Sequence, residues 1–264
     1  MFAAERLRII KSILLDKKHI NVTSLSSMLN VTEVTIRRDL EKLESEGFLS
    51  RTHGGAILNE TASEENIDIP LSSYDPLMNE REEISNIASH MIDDNDVILL
   101  SPGLTNLHIA KKLLSKKNIT VLTNDLNIAY ELNSNPSIKV IIPGGDLDPS
   151  SMTLNGKLTE ENLKRFYVSK TFIEVDGIST NRGYTIQGMD KASVIKEMLQ
   201  ITKEIIMVCT YNCFDNIAFY QIGSSLDIAN KIITNPNIPD NYKNYFFDNN
   251  IKLYTAFNSY EGGI

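Results

Sequence analysis

Along residues 4–16 the apolar positions Leu7, Ile10 and Leu14 recur at helical spacing, and the pattern predicts a first helix. The polar stretch DKKHINV reads as a break, after which Thr23 is placed to cap a short helix whose Leu25, Met28 and Leu29 turn inward and which Asn30 ends. Thr32 then opens a third helix, with Glu33 favourably set against the helix dipole and Gly47 as the residue just past its end. Ile36, Leu40 and Leu43 form its buried row at i, i+4 and i+7. At 100° per residue this turns Val34, Thr35, Arg38 and Lys42 to the opposite face and Arg37 to the flank. FLSRTHGGAIL follows as two short extended pieces about a Gly-Gly turn, the pattern of a hairpin. Two helices joined by a tight turn and followed by a basic hairpin make a winged helix-turn-helix.

From residue 80 the period changes. Apolar runs at 96–100, 119–123, 139–143, 170–175, 204–209 and 231–234 read as strands, and the stretches near 80–93, 104–116, 126–134, 158–167 and 190–202 as helices between them. Near-continuous Val, Ile and Leu in strands that alternate with helices indicate a parallel sheet covered on both faces. The expected fold class is therefore α/β: a winged helix-turn-helix over 1–58, a polar linker with Pro70 over 59–75, and a doubly wound, mostly parallel α/β domain over 76–264.

Charge sharpens the first part of this picture. The chain carries a net −8, but residues 1–58 carry +2 and the remainder −10, a basic head on an acidic body. An outward helix face fits the major groove of duplex DNA. Thr35 and Arg38 are placed to meet bases, and Arg37, Lys42, Arg51 and His53 to meet phosphates, which position a protein without reading sequence. Thr23 joins this set, and Gly54-Gly55 lets the hairpin backbone come close to a partner. The charge pattern alone fits a solvated helix face, or a module that docks protein, equally well.

The second domain offers an anion site on independent grounds. The strand at 96–100 ends in Ser101, Pro102, Gly103, Leu104 and Thr105 just as a helix begins, and free N–H groups at a helix start hold anions. Thr123-Asn124 and Gly144-Gly145 close the next two strands, so all three loops meet at the carboxyl edge of the sheet, where open α/β sheets bind ligands. Tight βα turns require the same glycines.

ERLRIIKSIL, VTEVTIRRDLEKLESEG and RTHGGA together closely resemble the N-terminal domain of DeoR-family bacterial transcription regulators. The resemblance runs on through SPGLTN, TNDLNIA, IPGGDLDPSSMTLNG, KTFIEVDGIS and DKASVIKEML in the family's order. It implies a regulator, usually a repressor of sugar or nucleoside catabolism, that binds a double-stranded operator as a homo-oligomer. It also implies a second domain similar to ribose-phosphate isomerases, in which a phosphorylated sugar releases the DNA. The loop around 101–105 departs from the family pattern, with Ser101 for an acid and Leu104 for a threonine, while Pro102 matches the lactose-operon type. Thr210-Tyr211-Asn212-Cys213 stands where the family has Asp-Ser-Ser-Lys, and Glu82-Glu83 where it has a basic pair. A phosphate needs cations, and Arg81, Lys191 and Lys196 are the available replacements, each of which also fits a solvated helix charge.

Three other readings stand beside this one. An isomerase would need a base and an enediolate stabiliser; Asp146, Asp148, Asp176 and Asp190 are the acids at hand, and the changes at 101 and 213 speak against it. A regulator without effector, its α/β body serving assembly alone, follows from the altered loop. Metal binding is weakest, with Cys209 and Cys213 four apart and four scattered histidines. No cofactor is expected. Two cysteines, no apolar run that spans a bilayer and no secretory h-region point to the cytosol rather than a membrane.

Overall fold

The computed structural model describes residues 3–45, 47–59 and 75–256. The chain divides into two compact units at Pro76 and Leu77. All but the two ends of the expected 59–75 linker lies outside the described residues.

The N-terminal unit contains α1 (Ala3–Lys17), β1 (His19–Asn21), α2 (Val22–Leu29), α3 (Glu33–Ser45), β2 (Leu49–Thr52) and β3 (Gly55–Leu58). Its core joins Ile10 and Leu14 of α1, Leu25 and Leu29 of α2, and Ile36, Leu40 and Leu43 of α3, so the predicted inward rows are the buried ones. Met28 is the exception and is exposed, because it lies one position off the Leu25–Leu29 row of an eight-residue helix. Gly47 takes φ +74° as the chain leaves α3, and Asn30 takes the left-handed conformation that ends α2.

Two local readings are corrected. Asn21, not Thr23, caps α2: its side chain accepts from the Ser24 N–H at 2.9 Å. The stretch read as a break is a strand, for β1 pairs antiparallel with β3, giving a three-stranded order β1-β3-β2. Gly55 makes that third strand possible, since a Cβ there would lie 2.1 Å from the Ile20 carbonyl oxygen. Its missing side chain thus admits a neighbouring strand within the domain.

Arg6 of α1 and Asp39 of α3 form a buried bidentate pair, Nε–Oδ2 2.5 Å and Nη2–Oδ1 3.1 Å, which ties the two helices together.

The C-terminal unit is built on a seven-stranded sheet, parallel throughout, in the order β15-β14-β12-β9-β4-β5-β6. These strands are β4 (Val97–Leu100), β5 (Thr120–Leu122), β6 (Lys139–Ile141), β9 (Val168–Glu174), β12 (Thr202–Val208), β14 (Lys231–Thr234) and β15 (Lys252–Thr255). Alternate residues feed opposite faces. Ile98, Leu100, Phe172, Ile206 and Val208 join the core under α4 (Met78–His90), α5 (Leu104–Leu113) and α6 (Leu126–Leu132). Leu99, Ile173 and Met207 join the core under α7 (Lys157–Leu163), α8 (Met189–Gln200) and α9 (Asp240–Asp248). Both faces are covered, as the apolar runs predict.

The α9–β15 pair at the end of the chain falls outside the sequence reading. So do two small antiparallel additions: a hairpin of β7 (Asp146–Asp148) and β8 (Thr153–Asn155), and a sheet ordered β10-β11-β13 from Gly177–Ser179, Gly183–Ile186 and Tyr220–Gly223.

Asp39→Ala leaves the Arg6 guanidinium buried without its acceptor. It should cost the N-terminal unit at least about 2 kcal/mol, read in the full chain as roughly 30-fold faster amide hydrogen exchange in α1 and α3. The double change Arg6→Met with Asp39→Leu should recover most of that loss; protection unchanged in Asp39→Ala would show that the pair is not what holds the helices.

Candidate nucleic-acid interface and sensor crevice

The outward face of α3 carries Val34, 61 % exposed, with Arg38 and Lys42 also exposed, while Ile36, Leu40 and Leu43 are buried behind it. Among the described residues, the side chains of Arg38, Lys42 and His53 make no hydrogen bond or ion pair with the rest of the chain. The other two arginines of the predicted set are engaged. Arg37 Nη2 reaches Glu33 Oε2 at 3.3 Å. Arg51 is held between Glu44 (Nε–Oε2 2.7 Å) and Glu41 (Nη1–Oε1 2.8 Å), and its own N–H donates to Glu44 Oε1. These pairs are exposed and yield to a stronger anion at little cost.

Thr35 is half-buried, its hydroxyl 3.0 Å from that of Thr32, so it supports the first turn of α3. Thr23 donates to Glu33 Oε1 at 3.0 Å and ties α2 to the start of α3. Gly54, at φ +102° with open space where a Cβ would stand, forms the hairpin tip with His53.

In the C-terminal unit the predicted loops do meet at the carboxyl edge, but their contents differ from the expectation. The chain winds outward from β4 through β5 and β6, then returns to place β9 on the other side of β4. This makes the β4–β9 gap the switch point where open sheets leave a crevice. Ser101, fully buried, supports the backbone there: its Oγ accepts from the Glu174 N–H at 2.9 Å, and Asn106 Nδ2 donates to its carbonyl at 2.8 Å.

The crevice is filled by the carboxylate of Glu174, the last residue of β9. Its Oε1 accepts from Thr105 Oγ1 at 2.9 Å and Arg81 Nη1 at 3.0 Å, and its Oε2 from the Asn106 N–H at 3.1 Å. Arg81 also donates to Thr105 Oγ1 at 2.6 Å. A Cβ at position 103 would stand 2.3 Å from Glu174 Oε2, so the missing side chain of Gly103 is the space this carboxylate uses. The Gly103 N–H points to a second acid, Asp125 Oδ2, at 3.3 Å.

Burial pushes the Glu174 carboxyl above the usual carboxylate range, against the opposing pull of Arg81 and Lys191. Burial likewise raises Asp125, against N–H groups from Ile128, Asn127 and Gly103.

The other predicted residues hold the edge together. Thr123 Oγ1 accepts from the Asp125 N–H at 3.1 Å, and Asn124 donates to the Leu154 carbonyl at 2.7 Å. Gly144 accepts from Thr159 at 2.7 Å, and a Cβ on Gly145 would lie 1.9 Å from Thr159 Oγ1, so this pair seats the loop on α7. Leu104 is partly exposed beside the crevice.

Of the three replacement cations, Arg81 is the one at the site. Its side chain is 14 % exposed, whereas Lys196 is exposed and Lys191 acts on Glu174 through its field. Glu82 is paired with Lys112, and Glu83 accepts from Asn235 at 3.0 Å, so neither faces the crevice loop. Cys209 and Cys213 are buried free thiols.

Glu174 and Asn106 escape a sequence reading. The available signal was an acid closing the otherwise apolar run TFIEV, where an unexplained charge requires a partner.

Comparison with known proteins agrees with this two-part architecture. The DeoR-like helix-turn-helix domain matches residues 6–62, and the DeoR C terminal sensor domain matches residues 77–235. The chain belongs to the DeoR family. Its relatives there include an uncharacterized HTH-type transcriptional regulator, YulB, of Bacillus subtilis (strain 168), 33 % identical over 88 % of this chain and 89 % of that one. The HTH-type transcriptional repressor GlcR of the same organism is 31 % identical over 86 % and 87 %. The transcriptional repressor AccR of Agrobacterium fabrum (strain C58 / ATCC 33970) is 28 % identical over 78 % and 79 %. Among solved structures, ribose 5-phosphate isomerase A of Methanocaldococcus jannaschii is similar over 52 % of this chain and 55 % of that one, at 11 % identity and a TM-score of 0.39. Among the described residues, no helix is long and apolar enough to cross a membrane.

A carboxyl whose folded-state value lies above its unfolded one stabilises the fold below about pH 4.3, and that contribution is lost as pH rises through the folded value. The urea midpoint of Glu174→Gln should therefore move upward relative to the wild type as pH is raised from about 4.3 towards neutrality. A difference between the two proteins that stays constant with pH would contradict a raised Glu174.

Proposed function

We propose that this DeoR-family regulator represses carbohydrate-catabolism genes from a double-stranded DNA operator, with residues 1–58 as the DNA-binding head, 59–75 as linker and 76–264 as sensor. It acts in the cytosol as a homo-oligomer, because one small helix-turn-helix buries little surface and paired heads match repeated half-sites. The observation that carries the reading is the split of α3: aliphatic residues sealed into the core, and Arg38 and Lys42 outward with no intramolecular acceptor among the described residues. The repressor names of GlcR and AccR support the direction of control.

Two readings of the sensor each rest on a specific feature. A phosphorylated sugar, which the family resemblance implies, is supported by the 101–105 loop lying at the switch point of the sheet. A sensor that does not take a phosphate there is favoured by Glu174 already lying on the loop's donors. The enzyme alternative has less support: Asp146 and Asp190 are exposed, Asp148 is tied to Ser150 and Ser151, and Asp176 accepts from the Gln187 N–H.

Mutation separates the two outward cations. Arg38→Ala should cost about 1–3 kcal/mol of operator binding and relax preference at one base position, measured by gel shift against a panel of single-base operator variants. Lys42→Ala should weaken all of those sequences alike and reduce the salt slope by about one. Operator affinity unchanged in both variants would remove α3 from the DNA interface.

A further inference from the structure

We propose that Glu174 is the resident anion of the switch-point crevice, a specificity-determining residue that takes the place of a ligand phosphate on the 101–105 loop. The inference deepens the regulator reading and rests on it only for the existence of an effector. Its consequence is that any effector of this protein brings no phosphate group into this loop.

A helix start holds phosphate through three things: free N–H groups, a hydroxyl and a nearby cation. Here one of those N–H groups, the hydroxyl and the cation are engaged by the same carboxylate. The Asn106 N–H, the Thr105 hydroxyl and the Arg81 guanidinium all donate to Glu174, and the Gly103 N–H turns to Asp125. The void that a glycine leaves for a ligand is occupied as well, since Glu174 Oε2 stands where a Cβ of residue 103 would collide with it.

Displacement by phosphate is disfavoured on two counts. Glu174 is paired with Val208 of β12, and its own N–H is held by the Ser101 hydroxyl, so its backbone is pinned on both sides. A departing carboxylate would also give up its three donors while remaining at the buried end of β9. A phosphate carries about −1.5 to −2 charges near neutrality, and it would meet Asp125 across the Gly103 amide with only Arg81 in contact to offset it. A tethered carboxylate needs neither the translational loss of a free ligand nor a second negative charge.

The test begins with the unaltered full-length protein. Its thermal midpoint in inorganic phosphate on the order of 20 mM should equal that in sodium chloride of the same ionic strength, and glucose 6-phosphate should behave as phosphate does. Glu174→Ala uncovers the donors. Phosphate should then raise its midpoint by about 2–4 °C over the chloride control, while Glu174→Gln, which keeps the space filled, should stay insensitive. Circular dichroism establishes that each variant is folded before titration. Stabilisation of the wild type by phosphate or glucose 6-phosphate overturns the proposal, as does a folded Glu174→Ala that gains no response. Operator binding by the wild type in chloride is measured alongside. Its loss would count against the regulator reading, and the phosphate results would stand regardless.

Discussion

A carboxylate buried at the end of a central strand must be surrounded by donors, and the C-terminal unit is arranged around meeting that demand at Glu174. The cost of taking the charge out of water is several kcal/mol unless hydrogen bonds and an opposite charge replace the hydration. Two separate segments supply them, the first turn of α4 through Arg81 and the start of α5 through Thr105 and the Asn106 amide, while the Ser101 hydroxyl, one residue past β4, fixes the Glu174 backbone by accepting its N–H. Gly103 supplies the space. Both helices meet the carboxylate at the switch point of the sheet, so one side chain ties their starts together.

The N-terminal unit solves the opposite problem. It must keep positive charge available to a polyanion while folding within a net-acidic chain. Its buried charge is matched internally, Arg6 against Asp39, and that pair shapes the domain rather than its surface. On the surface, Arg37 and Arg51 lean on glutamates of the same unit, and Arg38 and Lys42 do not. The exposed pairs cost little to exchange for a stronger anion, and they hold long side chains in defined places. Two classes of cation on one small domain follow from the placement of Glu33, Glu41 and Glu44, one turn from each arginine or across from it on the hairpin.

Much of this was legible in the sequence, and the gaps have physical causes. Helices α1 to α3 were visible because each buries an aliphatic row at helical spacing, and the seven-stranded sheet because six of its strands are near-continuous apolar runs. Strand β1 was hidden: three residues, HIN, carry no strand pattern, and they pair only because Gly55, far along the chain, lacks a Cβ. The β10-β11-β13 sheet was hidden for a related reason: its buried Ile178, Ile186 and Ile222 are separated by Gly177, Ser179, Gly183 and Thr185, so no apolar run marks it. The site loops were found from glycines at strand ends. Their occupant was not, because Glu174 and Thr105 are 69 residues apart and only the parallel pairing of β4 with β9 brings them together.

That same pairing restricts how the sensor edge can act on the rest of the chain. Arg81 lies four residues beyond Leu77, where the C-terminal unit begins, and it is held by a carboxylate whose own backbone is fixed by β12 on one side and the Ser101 hydroxyl on the other. A change at the edge therefore reaches the start of α4 through the Arg81 guanidinium and through whichever acceptor holds it. Equal affinity for two arrangements shifts neither, however tightly a ligand binds. A signal through this edge must favour one placement of Arg81 over another. With Glu174 in the crevice, the engaged placement of Arg81 is held by the chain's own carboxylate.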